Sequence, residues 1–224
     1  MTAVVETPSR NLAKVSDRHD WIAFGWFTDD PLYRPLTEQL AISLDRFNVP
    51  YDFAAVAKLP GGWEANTRQK PAQLLAAMDR HPGKTIVLLD VDFTAIADIS
   101  WLADASGDIA LQLAARRRSN GSTRLIASAQ VIVVKPTLPA RRFVEAWLRL
   151  SSTPSPGDTA EAFLALAMGE CASGCTFSNI DQDRIRSSLA HHWASRNTTR
   201  MNGFGREAMH LFFRAIGRAR TRKH

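Results

Sequence analysis

KTIVLLDVD, residues Lys84–Asp92, is the run from which the architecture of the chain can be predicted. It is apolar, rich in β-branched residues and without polar alternation, as expected of a central strand covered on both faces. Two acids, Asp90 and Asp92, stand at its carboxyl end. The run therefore predicts a buried strand with two carboxylates at the point where that strand leaves the sheet.

Two strand-and-helix units precede this run. WIAFGWFT (Trp21–Thr28) and YDFAAVA (Tyr51–Ala57) have the short apolar character of strands. Apolar spacing over Pro35–Phe47 predicts a helix between these two strands. A second helix, opened by Pro71, is predicted between the second strand and the central run. The alternation predicts right-handed βαβ units in a single α/β, Rossmann-like domain, with a central, mostly parallel sheet flanked by helices. Ligands of such sheets bind at the carboxyl ends of the strands.

Later segments fit the same layout. DIALQLA (108–114) and LIASAQVIVVKP (125–136) are predicted as strands, the second as one or two, and helices are predicted over 139–150 and 159–168. We expect residues 1–20 to form a flexible lead-in, with structure beginning near Trp21. Residues 21–200 are predicted as the domain, and residues 201–224 as a basic amphipathic helix or tail.

Size and composition limit the class of protein. The chain has 224 residues, of which 45% are apolar and 22% charged, and this balance is typical of one soluble globular domain. No apolar run approaches the roughly eighteen residues of a membrane span, and the N-terminus lacks a secretion-signal pattern. We therefore expect a cytoplasmic protein, and we interpret Cys171 and Cys175 as reduced thiols since further zinc ligands are missing nearby.

Asp90 and Asp92 are the first candidates for chemistry. Alternate positions at a strand end allow both carboxylates to reach a shared cation just outside the sheet. Hard oxygen ligands suit Mg²⁺ or Mn²⁺. The alternative is that the two acids only cap the strand and the turn that follows.

The order of several motifs resembles the GT-A nucleotide-diphospho-sugar transferases, over roughly residues 21–196. Lys70-Pro71 precedes the D-x-D motif Asp90-Val91-Asp92, as in that family. Beyond it, Ser128–Thr137 and Trp147 are similar to a family segment and the helix after it, and Asp158 is similar to an acid at the start of a late helix. The resemblance implies a GT-A-like domain that uses a nucleotide-diphosphate sugar and Mn²⁺ or Mg²⁺.

The resemblance also implies roles for individual residues. Asp90, Asp92 and His191, with His192 close behind, would hold the metal, and Asp92 and Lys70 would act in catalysis. Thr28, Asp29, Lys70, Asp90 and Arg196 would contact the donor, whose diphosphate suits a forked arginine and a lysine. Trp63 could line the donor cleft or simply pack. The alternatives are surface histidines and a solvated lysine.

The implied reaction is attack by an acceptor hydroxyl on the anomeric carbon of the donor sugar, with the cation neutralising the departing nucleoside diphosphate. The acceptor would be a glycan or a lipid-linked molecule. The sequence names neither the nucleotide, the sugar nor the acceptor, and it does not separate retention from inversion.

A phosphatase of the haloacid dehalogenase superfamily is an alternative, since IVLLDVDFTA also fits its pattern. Asp90 would then be the nucleophile and Asp92 the acid/base. Ser128, Lys135 and the acids Asp158 and Glu161 would supply its remaining roles. Against this reading, some seventy predicted structured residues precede Asp90, whereas that nucleophile normally ends the first strand.

The basic tail favours a third, non-catalytic reading. The chain has a formal charge of +6, and residues 196–224 carry eight Lys or Arg against one acid, a net +7. Apolar residues such as Leu211, Phe212 and Ile216 recur opposite arginines at helical spacing, a pattern typical of a helix that lies on an anionic membrane surface. This would make the protein peripheral at the inner face of the membrane. The alternative is a helix docked on the domain, and the lack of aromatic stacking positions argues against nucleic acid.

Overall fold

A computed structural model describes residues 11–117, 121, 123–153 and 160–192, without the side chains of 115–117 and 123–125. The chain divides into two compact units, Met1–Ala190 and His191–His224. Of the second unit only residues 191 and 192 are described, so the predicted domain boundary at residue 200 and the predicted helix at 201–224 lie outside the described residues.

The central sheet has seven strands. They are β1 (Leu12–Lys14), β2 (Trp21–Thr28), β3 (Tyr51–Val56), β4 (Thr85–Leu89), β6 (Ile109–Arg117), β7 (Thr123–Val134) and β8 (Phe177–Asn179). Their order is β1-β3-β2-β4-β7-β6-β8, and β5 (Phe93–Ala95) forms a separate two-stranded sheet with β9 (Leu189–His191).

Six helices accompany these strands in the described part of the chain. They are α1 (Tyr33–Asp45), α2 (Gly62–Thr67), α3 (Lys70–Arg80), α4 (Leu138–Ser151), α5 (Ala160–Cys171) and α6 (Gln182–Ser188), with one 3-10 turn at Ser100–Leu102. Pro71 occupies the first turn of α3, as its fixed φ angle predicts. In α4, the Thr137 hydroxyl accepts a hydrogen bond from the Ala140 N–H and so caps the helix.

The prediction of an α/β fold with a mostly parallel sheet is confirmed. β2 pairs in parallel with both β3 and β4, and β8 pairs in parallel with β6. The antiparallel neighbours are β1 beside β3, and β7 between β4 and β6. Five strands, β2, β3, β4, β6 and β8, therefore run in one direction, and their carboxyl ends meet at one edge of the sheet.

Alternate residues of the central strands fill two separate cores. Ile86 and Leu88 of β4 pack with residues of α3, α4 and α5, among them the fully buried Trp147. Val87 and Leu89 face the other way and pack with Leu40 and Leu44 of α1. This explains why the Lys84–Asp92 run lacks polar alternation, because both faces of β4 are covered by helices.

Regular structure begins earlier than the sequence predicts. Strand β1 at Leu12–Lys14 pairs with Tyr51–Phe53 of β3, so the expectation that structure begins near Trp21 is wrong. A three-residue edge strand carries no periodic signal, and its position depends on the backbone groups that β3 offers at the sheet edge. The side chain of Asn11 adds a contact, since its carbonyl oxygen accepts a hydrogen bond from the Ala55 N–H.

The central strand is shorter at both ends than the predicted run Lys84–Asp92. The strand spans Thr85–Leu89, after which the chain turns at Val91 and Asp92 and enters β5 at Phe93. Of the segment 125–136, residues 125–134 lie in one strand, β7, whose twelve residues are Thr123–Val134, and residues 135 and 136 follow it. Cys171 and Cys175 are free thiols, as predicted, and burial raises the pKa of the Cys175 thiol to about 11. No helix among the described residues is long and apolar enough to span a membrane.

Candidate active site at the carboxyl edge of the sheet

Asp90 and Asp92 lie where β4 leaves the sheet, as predicted. The Asp90 N–H donates to the carbonyl oxygen of Gln130 at 2.9 Å, which continues the β4–β7 ladder by one residue. The Asp90 side chain is 27% exposed, whereas Asp92 is buried at 6%. The first carboxylate therefore faces solvent in part, and the second lies inside the turn.

Lys70 is the closest charged partner of Asp90. Its ammonium group donates to Asp90 Oδ1 at 2.6 Å and to the carbonyl oxygen of Ala129 at 2.8 Å, and its side chain is only 6% exposed. These bonds join the first turn of α3 to the residue that follows β4 and to the middle of β7. Lys70 is thus brought to the site, as the sequence predicts, but as a buried counter-ion that fixes one carboxylate oxygen and not as a solvated lysine.

The surroundings of Asp90 disfavour the charged form of its carboxyl. Desolvation raises the pKa of the Asp90 carboxyl, and the charges of Asp92 and Glu161 raise it further, while Lys70 acts in the opposite direction. Glu161 lies in the first turn of α5. The pKa remains above its ordinary value even with Lys70 in contact, chiefly because the carboxyl is removed from water.

Asp30 and Tyr33 belong to the same edge, and sequence reasoning did not identify them. Asp30 Oδ1 accepts hydrogen bonds from the Leu32 and Tyr33 N–H groups, each at 3.0 Å, and so fixes the start of α1. Burial raises the pKa of the Tyr33 phenol, and Asp92, Asp30 and Asp90 add to this effect. Tyr33 therefore keeps its proton at neutral pH and offers an O–H donor among carboxylates. The signal available in the sequence was the DDP turn directly after β2.

The structure gives Thr28 and Asp29 partners within the protein. The Thr28 hydroxyl donates to Asp30 Oδ2 at 2.9 Å and is buried. The carboxylate of Asp29 accepts hydrogen bonds from the Arg34 guanidinium, one of them at 2.8 Å from Nη2. Both residues lie at the carboxyl end of β2, next to β4 in the sheet. Their predicted contact with the donor stays a prediction.

A glycine allows the two acids to approach β2 closely. A Cβ atom at Gly25 would lie 2.9 Å from the carbonyl oxygen of Leu89 and 3.1 Å from Val91 Cγ1. Leu89 and Val91 flank Asp90 in the chain. The absence of a side chain at Gly25 is therefore part of how the D-x-D turn is positioned.

Three predicted residues cannot be joined to this edge. His191 ends β9 and begins the second unit, while Asp158 and Arg196 lie outside the described residues. Trp63 lies in α2 and is 38% exposed, so it is not a core residue. The loop before it is fixed by the buried Asn66, which hydrogen bonds to Leu59 and Gly62.

A divalent cation fits the chemistry of this edge. Within the described residues no group of three or more His, Cys, Asp or Glu side chains is arranged to hold a metal. Mg²⁺, however, is commonly bound through one or two carboxylates, with phosphate oxygens and water completing the shell. Asp90 and Asp92 match that donor set, and Mn²⁺ accepts the same hard oxygen ligands.

Lys135, a residue required by the phosphatase alternative, does not reach Asp90. β7 runs antiparallel to β4, so Lys135 follows Val134 at the amino end of β4. There its ammonium donates to the carbonyl oxygen of Ala103, and its N–H bonds to Asp108. Lys135 is therefore at the opposite edge of the sheet from Asp90, where it cannot support a phosphorylated aspartate.

The comparison with solved structures agrees with the architecture. The chain is similar to a glycosyltransferase involved in the glycosylation of the major capsid of PBCV-1, with a TM-score of 0.58 and 13% identity over 80% of this chain and 98% of the other. The chain has a glycosyltransferase-like fold. A weaker likeness is to the apo form of the glycosyltransferase GlyE of Streptococcus pneumoniae TIGR4, with a TM-score of 0.47, 15% identity, 73% of this chain and 46% of the other. No protein-family model and no curated protein matches the sequence.

Proposed function

We propose that the protein is a metal-dependent glycosyltransferase that moves a sugar from a nucleotide-diphosphate donor to a glycan or lipid-linked acceptor. The observation that carries this proposal is the pair of acids, Asp90 and Asp92, at the carboxyl edge of β4, where burial first, and then the charges of Asp92 and Glu161, raise the pKa of Asp90 against the opposing effect of Lys70. A cation bound there would relieve this repulsion. The edge is also where sheets of this class bind ligands.

Asp90 and Asp92 would hold the cation. One oxygen of Asp90 is bonded to Lys70, so its other oxygen would be the ligand. When bound, Mn²⁺ or Mg²⁺ supplies positive charge to the diphosphate leaving group. Phosphate oxygens and water would complete the shell of the cation. The roles of His191 as a third ligand and of Arg196 as a phosphate contact stay predictions from the sequence.

Lys70, which the sequence assigned to catalysis and to donor contact, acts in this proposal mainly by holding Asp90. Its ammonium has two acceptors within 2.8 Å and little exposed surface. Breaking one side of a buried ion pair leaves the other charge without compensation. Lys70 is therefore a positioning residue for Asp90, and its charge lowers the net negative charge that a cation meets.

Tyr33 and the β2 end would serve the donor. The Tyr33 phenol keeps its proton at neutral pH, since burial and three nearby acids raise its pKa further above an ordinary value of about 10. It can donate a hydrogen bond to an oxygen of the donor, in the region that also includes Thr28 and Asp29.

The proposal also places the protein in the cytoplasm. There it would lie peripherally at an anionic membrane surface if its basic C-terminal segment binds to that surface.

Calorimetric titration of UDP and GDP, with and without Mn²⁺, tests the proposal. Asp90→Asn and Asp92→Asn remove the charge but keep the shape and the acceptor for Lys70. We expect metal-dependent binding in the micromolar range, lost by at least about tenfold in each variant because a charged metal ligand is removed. Asp183→Ala, which removes an exposed acid on α6 whose side chain is 90% exposed, is the matched control and should bind normally.

Two results would contradict the proposal. If neither nucleotide binds and the protein instead releases phosphate from p-nitrophenyl phosphate with Mg²⁺, in a reaction that Asp90→Asn abolishes, the transferase proposal fails. The phosphatase would then be correct, despite the remote location of Lys135. Nucleotide binding that survives both substitutions would refute the role of the D-x-D motif.

A further inference from the structure

An interruption in the strand ladder beside the candidate active site supplies an acceptor for Lys70. The register of β6 and β7 shifts between Leu111 and Leu113, so residues 128–131 of β7 lie opposite a single residue of β6. Ala129 belongs to this irregular stretch, and its carbonyl oxygen accepts a hydrogen bond from the Lys70 ammonium at 2.8 Å. Irregularities of this kind are common next to active sites, where they end regular pairing or redirect a group.

The Lys70 ammonium is held on a second side by Asp90. It donates to Asp90 Oδ1 at 2.6 Å, and the Lys70 side chain is only 6% exposed. Moving the ammonium away would leave the two buried charges without their partners, which is strongly unfavourable. The positive end of Lys70 therefore stays at one oxygen of Asp90 when a ligand arrives.

A divalent cation at this edge would meet repulsion as well as attraction. The part of the chain that the structure describes offers it Asp90 and Asp92 and no group of three or more metal-binding side chains. Together with Lys70 these two acids carry a net charge of −1, and Glu161 in the first turn of α5 adds a negative charge that acts on Asp90. A cation on the second oxygen of Asp90 would share that carboxyl group with the Lys70 ammonium, within the roughly 4–6 Å over which charges act strongly on each other. Lys70 therefore offsets part of the attraction.

A diphosphate would change this balance in two ways. Its oxygens can complete the shell of a cation that is held by only one or two carboxylates. Its negative charge also compensates the Lys70 ammonium, which is fixed by Ala129 and Asp90. A cation that arrives with a diphosphate is therefore favoured over a cation that arrives alone, and the difference depends on the charge of Lys70.

We propose that Lys70 makes metal binding conditional on the diphosphate, so that the cation and the nucleotide enter the carboxyl edge as one complex. The inference rests on the proposed function, since it names the form in which that same site takes its donor. Such coupling is reciprocal: the nucleotide raises the affinity for the metal by the factor by which the metal raises the affinity for the nucleotide. Lys70 increases this factor by weakening the binding of the free cation.

The affinity of the full-length protein for Mn²⁺ alone, followed by the electron paramagnetic resonance of free Mn²⁺, is the first measurement. Lys70→Met removes the charge and keeps most of the side-chain stem. It should bind Mn²⁺ roughly tenfold more tightly than wild type, a typical size for coupling between two ligands. Its affinity for pre-formed Mn²⁺–UDP, measured by calorimetry, should not rise, so the coupling between metal and nucleotide falls.

The direction of the change separates charge from misplacement of Asp90. A substitution that only disturbs the position of this carboxylate weakens Mn²⁺ binding, whereas loss of the Lys70 charge should strengthen it. Lys70→Arg keeps the charge and should bind Mn²⁺ alone no more tightly than wild type. Lys70→Gln removes the charge with a side chain that can still donate a hydrogen bond, and it should reproduce the increase seen in Lys70→Met.

Lys58 supplies the matched control. Its ammonium lies 3.5 Å from an oxygen of Asp30 at the same edge, and its side chain is 65% exposed. Lys58→Met removes the same charge from a group that water and salt screen, so its affinity for Mn²⁺ should stay within about twofold of wild type. If Lys58→Met strengthens Mn²⁺ binding as much as Lys70→Met does, the overall charge of the edge sets the affinity and the inference is overturned.

Wild-type protein gives a result that requires no variant. Calorimetry with pre-formed Mn²⁺–pyrophosphate supplies the cation and the diphosphate without a nucleoside, and this complex should bind at least about tenfold more tightly than Mn²⁺ alone. Equal affinities would show that the diphosphate imposes no condition on the metal, which overturns the inference.

Nucleotide binding distinguishes this inference from the proposed function. If neither UDP nor GDP binds to wild type with Mn²⁺, the transferase proposal fails, whatever Lys70 does to the free cation. If UDP binds with Mn²⁺ but Lys70→Met and Lys70→Gln bind Mn²⁺ alone no more tightly than wild type, the role of Lys70 fails and the transferase proposal stands.

Discussion

Lys70 illustrates how a single residue can be located by sequence and misjudged in character. The Lys-Pro pair predicted a lysine near the carboxyl ends of the strands, and the structure confirms that location. Its burial depends on the carbonyl oxygen of Ala129, a residue 59 positions later in the chain. No local pattern encodes that contact. A buried lysine bonded on two sides fixes Asp90 and has little freedom to follow a ligand.

Gly25 gives a residue-scale prediction. In Gly25→Ala the added Cβ meets the backbone oxygen of Leu89 at 2.9 Å, and backbone cannot yield as a flexible side chain does. We expect a loss of about 2 kcal/mol in the free energy of unfolding, measured by urea denaturation. Metal-dependent UDP binding should weaken too, because Leu89 and Val91 flank Asp90.

The control for Gly25→Ala is Gly169→Ala. Gly169 lies inside α5, and a Cβ there would meet nothing within 4 Å. This substitution should stabilise the protein by up to about 1 kcal/mol through helix propensity and leave UDP binding unchanged. Wild-type stability and affinity in Gly25→Ala would show that the close approach of β2 to the D-x-D turn has no energetic importance.

At the scale of elements, Asp108 joins three parts of the fold. Its carboxylate accepts hydrogen bonds from the Thr137 hydroxyl at 2.7 Å and from the Thr176 N–H and hydroxyl at 2.9 and 2.6 Å. These contacts connect the start of β6 with the cap of α4 and the residue before β8. The Thr137 and Thr176 hydrogen bonds lower the pKa of the Asp108 carboxyl.

The lowered pKa gives a pH-dependent prediction. The unfolded state binds a proton more readily at Asp108 than the folded state does, so its contribution is present above an unfolded pKa of about 3.9 and is lost as the pH falls through the folded value. Asp108→Asn should lower the free energy of unfolding by about 1–2 kcal/mol at pH 7. The difference from wild type should shrink toward pH 3 in urea denaturation series.

Asp104→Asn, at an exposed neighbouring acid, is the control for this pH series. It should follow the wild-type pH profile at all values. A constant difference between Asp108→Asn and wild type from pH 7 to pH 3 would refute the ionic contribution of Asp108 and leave only a loss of packing.

The elements that could be predicted from sequence are those with long, regular patterns. The apolar run of β4 and the helical spacing of α1, α3 and α4 identify them because burial imposes the pattern locally. Strands β1, β8 and β9 have three residues each, and α2 and α6 have six and seven. Their existence depends on partners elsewhere in the chain, so pattern alone does not reveal them.

The residues of the candidate site also differ in whether the sequence predicts them. Asp90 and Asp92 could be predicted because they end a strand that is itself predictable. Tyr33 could not, since its approach to these acids requires the turn that Asp30 fixes at the start of α1.

For the whole molecule, ligand binding should appear as added thermal stability. A ligand present at a hundred times its Kd stabilises the folded state by about 2.7 kcal/mol. For a chain of this size that corresponds to a rise of roughly 5–10 °C in Tm. Mn²⁺ alone should give a smaller shift than Mn²⁺ with UDP, because the phosphate oxygens would complete the cation's shell.

Differential scanning fluorimetry of wild type and Asp92→Asn checks this expectation. The variant should lose the shift with Mn²⁺ and UDP, while Asp183→Ala keeps it. A full shift with Mn²⁺ alone would mean that the protein holds a complete metal site without nucleotide. A shift that persists in Asp92→Asn would place the ligand elsewhere on the molecule.

The strand order has a consequence for synthesis of the chain. Strand β4 pairs with residues 21–24 on one side and 131–134 on the other, so its two neighbours are separated by about a hundred positions in sequence. Sheets with such distant partners fold slowly, since long loops close before the contacts form. On the ribosome, Lys70 and Asp90 emerge well before Ala129. The nascent N-terminal half therefore exposes an apolar flank of β4 until β7 arrives, and this interval is when the protein is most open to aggregation.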